Sequence, residues 1–180
     1  MNVKGVAFLA RQSLVVTERG QAAWESFVTQ FRSREPGFPE QVLPVTKIEV
    51  HSFLRFCDQL NRAFYSGKPD TYWHFGLAAG KNALSVGQLK GLFQTGETKK
   101  FLQFTPQVYK GYFDEGALTY AETGDGHCTV TLTGAPDHYY FEGAVFGFAQ
   151  GALEFLQARW PEGRKIPTKA GEVVYRWRLE

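Results

Sequence analysis

The sequence has few cysteines, and its only methionine is the first residue. Two cysteines, Cys57 and Cys128, lie far apart in 180 residues. Disulfide-rich secreted scaffolds need several cysteines at close spacing, so this class is excluded and we expect two buried thiols. No cysteines or histidines have the CxxC, HxxxH or HExxH spacing of a metal site. The sequence therefore predicts no bound metal.

Long hydrophobic runs and an excess of one charge are also lacking. No segment offers the roughly 20 apolar residues of a membrane span, and the N-terminus lacks the pattern of a secretory signal. We therefore expect a cytoplasmic protein without a membrane span. The net charge of +2 is too small for the basic surface that binds nucleic acid, so we expect no nucleic-acid partner.

Hydrophobic residues make up 43% of the chain and charged residues 21%, which is typical of a globular protein. The length fits a single domain over residues 1–180. Apolar residues at helical spacing predict five helical regions. The first region, residues 3–31, contains two helices that meet at Gly20, and the second begins at a capping box formed by Thr46 and Glu49 and extends to Gly67. The third covers residues 69–93, and the fourth covers residues 97–113 with a kink or interruption at Pro106. The fifth covers residues 139–158, with Asp137 as its N-cap and residues 160–163 as its stop.

The strand patterns all lie in the second half of the chain. Residues 117–122 and 128–133 flank a glycine-containing turn and should pair as a hairpin. Alternating apolar residues over 173–179 predict a C-terminal strand in the same sheet. The predicted fold class is therefore α+β, with a helical layer packed on a small antiparallel sheet.

Two predicted helices contain an excess of glycine near one face. Each glycine in a helix interior costs about 1 kcal/mol relative to alanine, so a close backbone approach should offset the loss. That approach is internal packing, a functional groove or a dimer contact. The glycines are Gly76, Gly80, Gly87 and Gly91 in one helix, and Gly143, Gly147 and Gly151 in the other.

Catalytic motifs are not found, so we expect no enzyme. Residues 76–82 resemble a P-loop, but the spacing is one residue short and Asn82 stands where a magnesium-binding hydroxyl is needed. No GxSxG motif occurs, and Cys57 lies on an apolar helical stripe, where burial makes a thiol unreactive.

Aromatic residues are abundant, with 16 Phe, 8 Tyr and 4 Trp. They can form a solid core or line a pocket for a small ligand. The candidate ligand-binding residues are Trp73, His74, Phe104, Tyr109, Phe113 and Tyr140, and the candidate interface residues are Gly76, Gly80, Gly143, Gly147 and Gly151.

The order of several short motifs resembles a known family. They are the opening helix at residues 3–8, residues 20–24, Leu43-Pro44, residues 112–116 before the hairpin, the helix at 147–156, and Ala170-Gly171 before the last strand. Together they are similar to a myxobacterial family of unknown function. That family belongs to a superfamily of ligand-binding domains, which also includes haem-nitric-oxide sensors, vinyl-4-reductase sensory domains and TRAPP-complex vesicle-tethering subunits.

This resemblance implies a helical layer on a small antiparallel sheet, often in a dimer, with an apolar ligand pocket or a partner surface. The zinc-binding cysteines of sensory members match Pro167 and Tyr175 here, and no histidine matches a haem ligand. We therefore predict no cofactor.

The leading hypothesis is a non-enzymatic sensory or regulatory domain that binds a small hydrophobic or aromatic ligand. The ligand should lie between helices 47–66, 69–93 and 97–113 and the sheet. The alternative is a protein interaction scaffold, either a homodimer or a regulator of a small GTPase. An enzyme like the vinyl reductases would need a cofactor motif that the sequence lacks.

Overall fold

The computed structural model describes residues 1–157 and 163–179, and all statements of structure concern these residues. They form helices and two antiparallel sheets. The helices are α1 (Gly5–Arg19), α2 (Gln21–Arg34), α3 (Val50–Tyr65), α4 (Asp70–Ser85), α5 (Thr98–Tyr112) and α6 (Tyr139–Phe155). The strands are β1 (Asn2–Lys4), β2 (Lys47–Glu49), β3 (Ala117–Glu122), β4 (His127–Thr133), β5 (Arg164–Ile166) and β6 (Glu172–Arg178). The α+β prediction is confirmed.

The larger sheet has four antiparallel strands in the order β3, β4, β6, β5. The predicted hairpin is present, with Leu118 paired to Leu132. The predicted C-terminal strand joins it, since Val130 pairs with Tyr175 and Cys128 with Trp177. One face of the central strands is therefore apolar and packs against the helices.

A small ribbon of β1 and β2 was not predicted. The chain begins as a strand instead of the expected helix, and Val3 pairs with Ile48 and bridges to Phe113. Both Val3 and Ile48 are buried. The ribbon thus fixes the start of α1 next to the end of α5. The edge strand β5 also lay outside the prediction.

Two predicted helix caps are wrong by one to three residues. Because residues 47–49 are extended, α3 begins at Val50 with Glu49 as its N-cap, not at Thr46. The Glu49 carboxylate accepts hydrogen bonds from the backbone N–H of His51 at 2.9 Å and Ser52 at 2.8 Å. Helix α6 is capped by His138 and not by Asp137, since the His138 ring accepts from the Tyr140 N–H at 3.1 Å.

The predicted helix over 69–93 is too long, because α4 ends at Ser85. Beyond it the chain turns, and Gly91 has a φ of 77°, a left-handed conformation that a helix excludes. Gly87 and Gly91 therefore lie outside helices. The end of α6 is at Phe155, and the predicted stop falls mostly on residues outside the described range.

Helix α5 runs without a break through Pro106. Proline has no N–H, so the carbonyl four residues earlier loses its usual helical partner. Here the Thr105 hydroxyl donates to the Leu102 carbonyl at 2.7 Å and supplies that hydrogen bond. The expected interruption at Pro106 is therefore wrong.

The glycines of α4 and α6 lie where these two helices contact each other. A Cβ added at Gly147 would lie 2.5 Å from the Trp73 carbonyl oxygen, and one at Gly76 would lie 2.5 Å from the Ala144 carbonyl oxygen. Gly80, Gly143 and Gly151 also meet the backbone of the opposite helix. Of the alternatives, internal packing is the one observed, and each glycine face covers the other.

The buried core contains rings from nearly every element. One group of edge-to-face and tilted ring contacts joins α1, α2 and α3. Its members are Phe8, Trp24, Phe31, Phe38 and Phe56. A second group joins α6 to the sheet, and the rings of Phe146 and Tyr175 stack at 4.2 Å there. Among the described helices, none combines the length and apolar character needed to cross a bilayer.

Candidate functional site

A cavity of about 50 Å³ lies where the helices meet the larger sheet. Helix α5 supplies most of one wall, α6 the opposite wall, and α1 and α4 smaller parts. Leu118 of β3 and Val130 of β4 form the base. The lining residues are Ala7, Arg11, Ala79, Leu102, Thr105, Val108, Tyr109, Tyr112, Phe113, Leu118, Val130, Tyr140, Ala144, Val145, Phe146, Phe148 and Ala149.

Helical spacing brings these side chains together. Leu102, Thr105, Val108, Tyr109 and Tyr112 repeat at three-and-four spacing along α5 and are all buried, so one face of the helix points inward. The same spacing places Tyr140, Ala144 and Phe148 on the inner face of α6. The alanines leave room that larger side chains at these positions would fill.

The tyrosines of the wall are held neutral. Burial raises the pKa of Tyr109 to about 12, and burial likewise raises the pKa values of Tyr112 and Tyr140. The Tyr109 hydroxyl donates to the Glu115 carbonyl at 3.2 Å, and the Tyr112 hydroxyl accepts from Gln88 at 2.9 Å. These phenols can donate and accept hydrogen bonds, but they are not bases at neutral pH.

Arg11 is the charged residue of this wall, and only 3% of its surface is exposed. Within the described chain its Nε and Nη1 atoms have no hydrogen-bond partner. Its guanidinium lies over the Phe75 ring, 4.9 Å from the ring centroid. The positive charge of Arg11 also opposes the rise in the pKa of Tyr140 that burial causes. The cavity is therefore apolar with one cationic corner.

Three of the six predicted ligand-binding residues line this cavity, namely Tyr109, Phe113 and Tyr140. The structure does not bring the other three to it. Trp73 donates from its indole N–H to Gln150 at 2.6 Å, and His74 pairs with Glu18 at 2.9 Å on the surface. Phe104 packs on Phe93.

The position of the cavity also differs in part from the expectation. It lies between α1, α4, α5, α6 and the sheet, and α3 does not contribute to its wall. The sequence reasoning missed Arg11, Thr105 and Tyr112. Arg11 could have been found from helical spacing, because it shares a face with Ala7, Phe8 and Val15, which are all buried.

A second polar cluster borders an open groove of about 260 Å³ near the start of α4. The Tyr72 hydroxyl donates to Asp58, and His138 Nε2 lies 3.2 Å from the same carboxylate. Burial, and after it the hydrogen bond to Asp58, raises the pKa of Tyr72. His138 also caps α6 through its other ring nitrogen. This cluster therefore ties α3, α4 and α6 together.

Both cysteines are buried free thiols, as predicted. Burial raises the pKa of Cys128 to about 11 and raises that of the fully enclosed Cys57 further. Neither thiol forms a reactive thiolate at neutral pH. In residues 1–157 and 163–179, no three His, Cys, Asp or Glu side chains are grouped closely enough to hold a metal ion.

Neither a family model nor a curated protein sequence matches the chain. Solved structures do match in fold. An H-NOX protein from S. oneidensis in the Fe(II)NO ligation state has a TM-score of 0.70 and 13% identity, over 98% of this chain and 99% of that one. A variant of Tt H-NOX has a TM-score of 0.71 and 10% identity, over 97% and 93% of the two chains.

A third similar structure is described for the modulation of haem redox potential by protein-induced porphyrin distortion. Its TM-score is 0.68 at 14% identity, over 97% of this chain and 98% of that one. Identities this low carry the fold and not the function. The resemblance to haem-nitric-oxide sensors is therefore confirmed at the level of fold, and those to vinyl-4-reductase domains and TRAPP subunits stay predictions. The chain has the fold of the H-NOX proteins.

Proposed function

We propose that the chain is a non-enzymatic sensory or regulatory domain that binds a small ligand in the cavity between α1, α4, α5, α6 and the sheet. The observation that carries this proposal is the wall itself. It combines apolar side chains with a buried guanidinium whose Nε and Nη1 have no partner in the described chain. Ligand sites in proteins are typically concave, mostly apolar and provided with a few orienting polar groups.

Haem is the ligand that the structural neighbours suggest, since they include proteins described with haem or an Fe(II)NO centre. The residues here do not fit it. Sites for ligands of drug size occupy roughly 300–1,000 Å³, whereas this cavity has about 50 Å³. Bulky aromatic side chains form much of the wall around this small volume, namely those of Phe113, Tyr140, Phe146 and Phe148.

The wall also lacks a suitable axial ligand for haem iron. Haem proteins use histidine, cysteine, methionine or a tyrosinate, and no histidine, cysteine or methionine belongs to the described wall. The tyrosines present have raised pKa values because they are buried, which disfavours tyrosinate. We therefore derive no function through haem.

A haem titration tests this part of the proposal. Adding haem to the purified protein should leave the absorbance spectrum of free haem unchanged and the melting temperature unaffected. A shifted Soret band that saturates at one haem per chain would contradict it.

The size of the cavity limits the ligand. An apolar cavity of about 150 Å³ holds one benzene molecule, so about a third of that volume accepts a molecule of about two or three non-hydrogen atoms. The aromatic ligand that the sequence suggested would require wall residues to move.

Binding without catalysis agrees with the chemistry of the wall. A general base needs a pKa near the working pH, and the hydroxyls of Tyr109, Tyr112 and Tyr140 are far above it. The Thr105 hydroxyl donates its proton to the Leu102 carbonyl, which is not a base that could activate it. Side chains of these kinds can orient a ligand but not react with it.

The direct test uses the alanine methyl groups of the wall as reporters. The full-length protein with labelled alanine methyls should be titrated with a panel of small neutral and anionic molecules by NMR. Binding in the cavity should shift the signals of Ala7, Ala79, Ala144 and Ala149 and leave that of the exposed Ala22 unchanged. A panel in which no member shifts the four wall methyls would contradict the proposal and favour a scaffold.

A further inference from the structure

The burial of Arg11 needs a compensating partner. Placing a charge inside a protein without a counter-charge costs several kcal/mol, and its polar atoms need hydrogen bonds. Contact with the Phe75 ring offsets only part of this cost, because such cation–π contacts contribute about 2 kcal/mol. The ring contact leaves the Nε and Nη1 atoms without a hydrogen-bond acceptor.

No other side chain of the described wall supplies the missing negative charge. The lining residues include no aspartate or glutamate, and no ion pair joins Arg11 to another described residue. The wall tyrosines are held neutral by burial. The positive charge inside the cavity is therefore uncompensated by the described part of the chain.

One neighbouring hydroxyl is free to act as a further donor. The Tyr112 oxygen accepts a hydrogen bond from Gln88, so its own proton is available to a second acceptor. Thr105 differs, because its proton is already donated to the Leu102 carbonyl. Arg11 and Tyr112 both line the same cavity, and each has a donor group without an acceptor in the described chain.

We infer that the cavity is a site for a small monoanion, bound by the guanidinium of Arg11 and the hydroxyl of Tyr112. A planar oxyanion such as a carboxylate or nitrite matches the guanidinium fork, which forms two parallel charge-assisted hydrogen bonds. The cavity volume limits the occupant to about two or three non-hydrogen atoms. This inference rests on the proposed function and names the ligand class of the same site.

The test compares matched anionic and neutral ligands on the full chain. Thermal unfolding should be measured in an anion-poor buffer with formate, nitrite or, as neutral partner, formamide. Hexanoate carries the same carboxylate on a chain too long for the cavity, so it should not raise the melting temperature; a hexanoate response equal to that of formate would overturn the assignment to a small free anion. Formate should raise the melting temperature of the wild type by about 2–4 °C in a saturable manner, and formamide should not.

Two substitutions assign the effect to Arg11. Arg11→Met keeps an unbranched apolar stem like that of arginine and removes the guanidinium with its charge, so it should abolish the formate response. Without added anion it should melt at or above the wild-type temperature, since an uncompensated charge has been removed. Arg34→Met removes a charge from the exposed surface and should leave the response intact. Arg11→Lys keeps the charge but loses the fork, so formate affinity should fall about tenfold.

The outcomes separate this inference from the function on which it rests. Equal binding of formate and formamide, or a formate response that survives in Arg11→Met, would overturn the anion site and leave a small-ligand domain. Failure of every ligand to stabilise the wild type would overturn both. If Arg11→Met does not fold, an undiminished formate affinity in Arg11→Lys overturns the anion site, and the tenfold loss supports it.

Discussion

At the scale of single residues, burial sets the behaviour of the titratable side chains. The hydroxyl of Tyr109 lies inside the core and donates to a backbone carbonyl. Its pKa of about 12 in the folded chain is higher than the value near 10 of an unfolded tyrosine. As the pH rises, the unfolded chain therefore loses the Tyr109 proton at a lower pH than the folded chain does. Deprotonation of this phenol stabilises the unfolded state relative to the folded state.

The alkaline stability of the protein follows from this difference. The contribution of Tyr109 is fully present below about pH 10 and is lost as the pH rises through about 12. The unfolding free energy from urea titrations should therefore fall between about pH 10 and about pH 12. Tyr109→Phe should flatten that decline. An equal decline in this variant would contradict the assignment to Tyr109.

His74 provides a test of which aromatic residues matter. It is 43% exposed and pairs with Glu18 away from the cavity. Exposed ion pairs contribute about 0–1 kcal/mol, so His74→Ala should change the unfolding free energy by no more than this amount. In calorimetric titrations, the affinity for a ligand identified by the alanine-methyl experiment should stay at the wild-type value. A loss of binding in His74→Ala would place the site at the surface around His74 and Glu18 instead of in the cavity.

The residues of the cavity could be predicted only in part. Tyr109, Phe113 and Tyr140 were found because bulky rings at helical spacing indicate a buried face. Arg11 was not, since an isolated arginine in an amphipathic helix is usually a solvated residue. Trp73 and His74 follow each other in sequence, and neighbouring residues on a helix point in different directions.

At the scale of elements, the contact between α4 and α6 depends on the absence of side chains at five glycines. A Cβ at Gly151 would overlap the Leu77 carbonyl, and a backbone carbonyl in a packed helix cannot move aside. The two helices would have to separate, and every contact between them would loosen.

The two kinds of helical glycine should therefore respond in opposite directions to substitution. Gly151→Ala should lower the unfolding free energy by about 2 kcal/mol or more, because overpacking outweighs the gain in helix propensity. Gly111 lies in α5 with open space around its Cα, so Gly111→Ala should raise it by about 1 kcal/mol. Urea unfolding measures both. A stabilised Gly151→Ala variant would contradict the close approach.

The elements that were predicted well have long, regular patterns. Strand β4 alternates buried and half-buried residues over seven positions, which fixes both its type and its pairing. Strands β1 and β2 have three residues each, too few to show an alternation. Their formation depends on contacts between residues 45 positions apart, such as Val3 with Ile48, which local sequence does not reveal.

At the scale of the whole molecule, the H-NOX fold is combined with an interior largely filled by rings. The same arrangement of helices and sheet that appears in haem-linked neighbours here encloses a cavity of about 50 Å³. A fold positions a site, but the side chains of that site decide its ligand. The account therefore assigns a small ligand to the interior and no porphyrin.

The most direct test of this account is ligand affinity in a protein whose cavity has been filled. Ala149 lines the cavity on α6, and Ala149→Val adds two methyl groups there. Calorimetric titration with a ligand identified by the alanine-methyl experiment should show affinity reduced by at least about tenfold, with thermal stability retained. Undiminished affinity in this variant would contradict the account, because the ligand would then bind outside the cavity.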